Sequence, residues 1–234
     1  MRVSIPAAGL GTRFASSGFD LPKELLPLGG KPLIAHALAE AARAGFEGAI
    51  VVVSPAKPEL GAFLAAGGLP IPVEIVIQPV ALGIGDAVMR CWRGQPIGVL
   101  LPDDVVLATD HWSGLIQLHD RTGTAALCVR EVPLESTSRF GIAECVGDRV
   151  VALVEKPAPG TTSSNLAVFG RYIATEPVIA GIRSAGRSGE LELTDGFSRA
   201  LETPPGVGVV RFGGEIYDCG TPSEYASSVH RFPA

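Results

Sequence analysis

Three groups of residues in this 234-residue chain have types and spacings suited to chemistry on phosphates. The first is a glycine turn, Gly9-Leu10-Gly11-Thr12-Arg13, directly after the apolar start Val3-Ser4-Ile5-Pro6-Ala7-Ala8. Lys23 follows ten positions later in Pro22-Lys23-Glu24-Leu25-Leu26-Pro27-Leu28. A loop with bare backbone can wrap a phosphate chain, because its N–H groups point inward and no side chain blocks approach. Two cations beside it suit a highly charged ligand such as a nucleoside triphosphate. The second group is carboxylates: Asp103-Asp104 after an apolar run, and Asp218 far away in Tyr217-Asp218-Cys219-Gly220-Thr221. An aspartate pair at a strand end commonly forms a turn or caps a helix, while Mg²⁺ is held by one or two carboxylates plus substrate phosphates. Residue type alone leaves both readings open. The third is Glu155-Lys156-Pro157, by itself an ordinary solvated pair.

These groups need elements to position them. Val3–Ile5, Ala49–Val53, Val73–Ile77 and Gly98–Leu101 are short apolar runs. Between them, apolar residues at 34, 37, 38, 41 and 42 recur at helical spacing before Gly45, a natural helix stop, and 83–93 also reads as a helix. Buried strands alternating with helices predict a parallel sheet covered on both faces. In such sheets ligands bind beyond the carboxyl ends of the strands, where Gly9–Arg13, Gln78 and Asp103 fall. In the second half, 125–132, 141–145, 150–154 and 166–173 read as strands with shorter connections, predicting a mixed sheet. The whole is α/β, a Rossmann-like mixed, mostly parallel sheet flanked by helices. One domain over 1–234 is expected, in two halves over about 1–122 and about 123–234.

Two common owners of a glycine loop are excluded. Phe14 stands where the dinucleotide fingerprint needs its third glycine, and the next predicted strand ends at Val53-Ser54 without a carboxylate for a ribose. A Walker match around Gly30-Lys31 fails because Leu25 and Pro32 occupy its other fixed positions.

The blocks IPAAGLGTRF (5–14) and PKELLPLGGKPLI (22–34) resemble the signature of the sugar-1-phosphate nucleotidyltransferases, nearest to the bacterial UTP–glucose-1-phosphate uridylyltransferase group. The likeness continues in order through Gln78 with ALGIGDAV (81–88), LPDDVV (101–106), RFGIAECV (139–146), VEKP (154–157), SNLAVFGRYI (164–173), GELELTDGFSRAL (189–201) and DCGTPSEY (218–225). The family block usually carries His at the position of Asp86.

The resemblance implies a GT-A-like fold, Mg²⁺ as cofactor and a site in two halves, nucleotide-binding over about 1–122 and sugar-phosphate-binding over about 123–234. Ala8, Gly9, Gly11, Gln78 and Gly83 would meet the nucleotide. Arg13 and Lys23 would neutralise the triphosphate, and Asp103 with Asp218 would hold the metal, Asp104 standing behind them. Gly141, Glu155 and Asn165 would meet the sugar, Lys156 would grip its phosphate, and Glu190, Thr194 and Asp195 are candidates for the pocket wall or for helix capping. The reaction is then an in-line attack of the sugar-1-phosphate oxygen on the α-phosphorus of UTP, releasing pyrophosphate. Related enzymes using dTTP or another sugar or alcohol phosphate, and a silent nucleotide-sugar sensor, are the alternatives.

The net charge of −5 argues against a nucleic-acid partner, because phosphate-backbone binding needs a basic face. The partners expected are small-molecule substrates, with neither nucleic acid nor membrane. A homo-oligomer is left open, because the compact 58–72 region is shorter than the segment relatives use for subunit contacts. Cys91, Cys128, Cys145 and Cys219 lack metal or redox spacing and read as reduced and mostly buried. With no signal-peptide pattern or apolar run of bilayer length, a cytoplasmic protein is expected. Trp112, Phe212 and Tyr217 are expected to pack rather than stack on a ligand, and His230 to lie on the surface.

Overall fold

Strand and helix assignments follow the hydrophobic periodicity closely in a computed structural model, which describes residues 1–185 and 190–233. Gly189, which opens one of the resemblance blocks, lies outside the described residues. By its internal contacts the chain falls into two compact units. The first joins Met1–Ala81, Leu100–Thr109 and Gly214–Ala234; the second joins Leu82–Val99 and Asp110–Gly213.

In the first unit three parallel strands lie in the order Val73–Ile77, Ala49–Val53, Val3–Pro6. The β-branched residues of Ala49–Val53 are buried throughout, as expected for a strand flanked on both sides. Val73–Ile77, predicted as a second buried strand, differs: it is the edge strand, and Ile77 is 48% exposed. The crossover helix Leu33–Arg43 buries Leu33, Ile34, Ala37, Leu38 and Ala41, the face its spacing predicts, and Gly45 follows at φ 80°. Helix Pro58–Ala65 begins with proline at its first position, where the missing N–H costs nothing. Two short ladders complete the unit: Pro27–Leu28 pairs Lys31–Pro32, and Asp104–Val105 pairs Tyr217–Asp218 with Asp104 opposite Asp218.

In the second unit the strands run Ile97–Leu100, Leu166–Ala174, Ala125–Glu131, Val207–Arg211, Arg149–Glu155, Gly141–Val146. Leu166–Ala174 is antiparallel to Ala125–Glu131, and Arg149–Glu155 is antiparallel to Gly141–Val146, whereas Val207–Arg211 runs parallel to Ala125–Glu131. The expected mixed sheet flanked by helices is therefore present, with parallel pairing characteristic of the first unit. Strand Val207–Arg211 carries little local signal: it is a five-residue run with glycine at its second position, directly behind Pro204-Pro205-Gly206. Trp112 is fully buried, and Phe212 and Tyr217 are buried too, confirming their packing role. Each such apolar side chain contributes about 1.5–3 kcal/mol by burial. All four cysteines are free, three of them buried, and His230 is exposed. Among the described residues no helix is long and apolar enough to cross a membrane.

Candidate active site

The glycine turn sits at the carboxyl end of strand Val3–Pro6. Ala7 N–H donates to Val52 O, so the turn starts from a fixed strand end. Gly11 has φ 64°, a left-handed conformation that side chains disfavour. Its carbonyl accepts the N–H groups of Phe14 and Ala15, starting the one-turn helix Thr12–Ala15. Phe14, which broke the dinucleotide pattern, explains itself here. Its ring is buried edge-on against Phe19 and Tyr225, at 5.4 and 6.2 Å between centroids, and pins the loop to the C-terminal helix Pro222–Arg231. Gly9, Leu10 and Arg13 stay exposed, so donors and a cation remain available to a ligand.

Lys23 lies on the one-turn helix Lys23–Leu25, with its Nζ 2.5 Å from Asp103 Oδ2. The side chain is 19% exposed. Burial disfavours its charge, but Asp103, Glu24 and Asp104 together more than offset that, so its pKa lies above the ordinary lysine value. The Lys23–Asp103 contact spans eighty positions, and no local signal foretells it.

Asp103 and Asp218 are brought together by the short ladder, and Cys219 N–H donates to Asp103 O at 2.7 Å. A Cβ placed on Gly220 would lie 3.2 Å from Asp218 Oδ1 and 3.9 Å from Asp103 Oδ2, with Glu224 Oε2 at 3.6 Å. Carboxylate oxygens thus converge on the space a side chain would fill. Asp103 Oδ2 is the oxygen that meets Lys23, and Asp218 Oδ1 accepts Gly220 N–H at 2.9 Å; as hard oxygen donors the two carboxylates are of the kind Mg²⁺ takes beside water and phosphate. The donor set therefore fits that ion. Buried Cys219, between these groups, has its thiol pushed up to about 12 by burial and by Asp218, which keeps it protonated and inert. Gln78 is buried at the end of strand Val73–Ile77, its N–H bonded to Val53 O.

In the second unit Gly83 opens helix Gly83–Cys91 at φ 91°. A Cβ there would lie 2.6 Å from Leu191 O, and one on Gly85 equally close, because the helix start is stitched to the 191 backbone by Gly85 N–H→Leu191 O and Leu191 N–H→Leu82 O, both 2.7 Å. The sequence reading missed Gly85, which looks like any helical glycine. Asp86 forms an ion pair with Arg90 at 2.6 Å one helical turn on.

Gly141, Glu155 and Thr194 meet. The Thr194 hydroxyl donates to Glu155 Oε2 at 3.0 Å, and a Cβ on Gly141 would stand 3.1 Å from that same oxygen. Asn165 is half-buried, and its carbonyl accepts Val132 N–H. Lys156 is 62% exposed, 3.4 Å from Glu155 Oε1. Its φ of 44° makes it the one non-glycine residue with positive φ among those described. Such a backbone costs roughly 1–2 kcal/mol for an L-residue and is the sort of strain functional sites retain. Glu192, not singled out by sequence, is held above the usual carboxylate range by burial first, then by Glu155 and Glu190.

The first unit therefore carries a glycine turn with Arg13, Lys23 and a carboxylate pair, and the second carries Gly83 and the Gly141, Glu155, Lys156, Asn165 group. A glycine turn, cations and an oxygen-donor pair on an α/β frame define a phosphate-handling protein. The chain belongs to the nucleotidyl transferase family, whose model matches residues 4–231. It is 34% identical over 250 residues to the UTP–glucose-1-phosphate uridylyltransferase of Bacillus subtilis (strain 168), covering 92% of this chain and 85% of that one. Among solved structures it is similar to a UDP-glucose pyrophosphorylase complexed with UDP-glucose, with 29% identity, a TM-score of 0.85, and 98% and 97% of the two chains covered. It is likewise similar to the UTP-bound UGPase from Acinetobacter baumannii, with 27% identity, a TM-score of 0.83 and 99% and 92% coverage.

Proposed function

We propose that this protein joins UTP to glucose-1-phosphate, giving UDP-glucose and pyrophosphate. The observation that carries the reading is the meeting of Lys23, Asp103 and Asp218 in the unit that bears the glycine turn. Its support is the full-length likeness to enzymes named for that reaction. The whole chain would act as one nucleotidyltransferase domain, in the cytoplasm, where four free cysteines are at home.

In this reading the attacking group is a phosphate monoester oxygen. Its second pKa is near ~6, so it is largely anionic at neutral pH and needs no general base. The barrier lies in bringing two polyanions into line, and catalysis is charge neutralisation and alignment. Ala8, Gly9 and Gly11 would offer backbone to the nucleotide, and Gln78 with the Gly83 backbone would meet the uracil edge through paired donor and acceptor. Arg13 would stabilise the leaving pyrophosphate and Lys23 the α-phosphate region. Asp103 and Asp218 would hold Mg²⁺, which when bound neutralises phosphate oxygens. Glu155, Gly141 and Asn165 would orient the sugar, and Lys156 would hold its phosphate for attack.

A panel of nucleoside triphosphates against sugar-1-phosphates, read by pyrophosphate release, tests this. UTP with glucose-1-phosphate is expected to give the highest kcat/KM. A higher value for dTTP or another sugar would overturn the assignment, and no release with any pair would make the chain a binding protein.

A further inference from the structure

Lys57 lies in the strand-to-helix connection after Ala49–Val53 and is 5% exposed. Its ammonium donates to Ala7 O at 3.1 Å and to both oxygens of Glu24 at 2.8 Å; Glu24 is 1% exposed. An ammonium has three N–H donors, and all three are engaged. Its backbone is fixed as well: Lys57 N–H donates to Ser54 O, and its carbonyl starts helix Pro58–Ala65 by accepting Leu60 N–H. One buried group thus ties three segments together. Ala7 stands two residues before the glycine turn, and Glu24 directly follows Lys23, whose own side chain reaches Asp103.

We propose that Lys57 is the positioning residue of the triphosphate half-site, setting the glycine turn and the Lys23 helix in register without touching the ligand. The argument is geometric. Adjacent residues Lys23 and Glu24 anchor to different elements, so a shift of the Glu24 tether moves Lys23 off Asp103. The same tether holds the carbonyl from which the turn departs. Saturated donors leave no capacity for a phosphate, which separates this role from that of Arg13 or Lys23. The inference rests on the nucleotide-binding reading of the first unit.

Removing one partner of a buried pair leaves the other charge uncompensated, so Lys57→Met alone is expected to be badly destabilised, whereas replacing both partners by apolar residues of similar volume is often tolerated. The informative variant is therefore Lys57→Met with Glu24→Leu. We expect it to melt within about 5 °C of the parent and to bind UTP with Mg²⁺ at least about tenfold more weakly by calorimetry. We also expect its KM for glucose-1-phosphate to change by less than about twofold. Unchanged UTP affinity in the folded double variant would overturn the proposal. So would equal rises in both KM values, which a diffuse structural role gives, or failure of the double variant to fold. A parent that binds UTP but releases no pyrophosphate would sink the catalytic reading while the affinity comparison still decides the role of Lys57. A parent that does not bind UTP would sink both.

Discussion

Lys23 in the first unit is held against Asp103 and is 19% exposed, whereas Lys156 in the second is 62% exposed with Glu155 3.4 Å away. The first cation is placed by its side chain: partners fix where the charge sits before any ligand arrives. The second is placed by its backbone, through a strained φ of 44°, while its exposed side chain is held only by a surface pair with Glu155. Preorganised charge is worth more than charge that must be gathered at the moment of reaction. An exposed lysine instead gives up side-chain freedom when its ligand binds. The two lysines thus represent two ways of placing a positive charge, one rigid and one extensible; on the function proposed above, each would serve a phosphate.

The largest expected effect is at Arg13. Its side chain is exposed, so Arg13→Ala should fold normally while turnover falls by about 10³. Pyrophosphate release beside a thermal melt checks this, and unchanged turnover would remove Arg13 from the rigid half. Gly83→Ala would bring a methyl to 2.6 Å from Leu191 O at a positive φ, and should cost at least about 2 kcal/mol in denaturant unfolding. Lys156→Gly tests backbone placement directly. Glycine tolerates φ 44°, so stability should rise by roughly 1 kcal/mol while the KM for glucose-1-phosphate climbs. Lys156→Ala should show the same KM change without the gain, and equal stability of the two variants would refute the strain argument. The smallest effect is at Glu192. Its raised pKa means the folded state binds a proton more readily than the unfolded one, so stability falls as pH rises through the carboxylate range. Glu192→Gln should therefore stabilise at neutral pH by roughly 0.5 kcal/mol or less, and the difference should fade in melts taken at progressively lower pH.

Much of this was legible in the residues. Apolar β-branched runs revealed the strands of the first unit, and the helical spacing of 34, 37, 38 and 41 gave the buried face of its first helix. The glycine turn and its following cation were visible because their meaning is local. What escaped depends on partners distant in sequence. A lysine in Ser54-Pro55-Ala56-Lys57-Pro58 carries no mark that its ammonium will be sealed against Glu24. Glu192 looks like a surface residue until Glu155 is folded beside it. Val207–Arg211 was hidden by turn-forming neighbours, and its place in the sheet is set by pairing with Ala125–Glu131 rather than by its own propensity.

The first unit is assembled from three separated stretches, and Asp218 arrives with the last of them, Gly214–Ala234. During synthesis, Gly9–Arg13 and Lys23 leave the ribosome long before Asp218 does. At roughly 5–20 residues per second, the delay between the glycine turn and its carboxylate is on the order of 10 s. For that interval the aromatic pair Phe14 and Phe19 lacks Tyr225 as its cover. The nascent chain therefore exposes an incomplete aromatic cluster beside the glycine turn, while the second unit is synthesised in between. A ribosome stalled in the second unit would therefore yield a chain in which Asp103 still lacks Asp218 beside it.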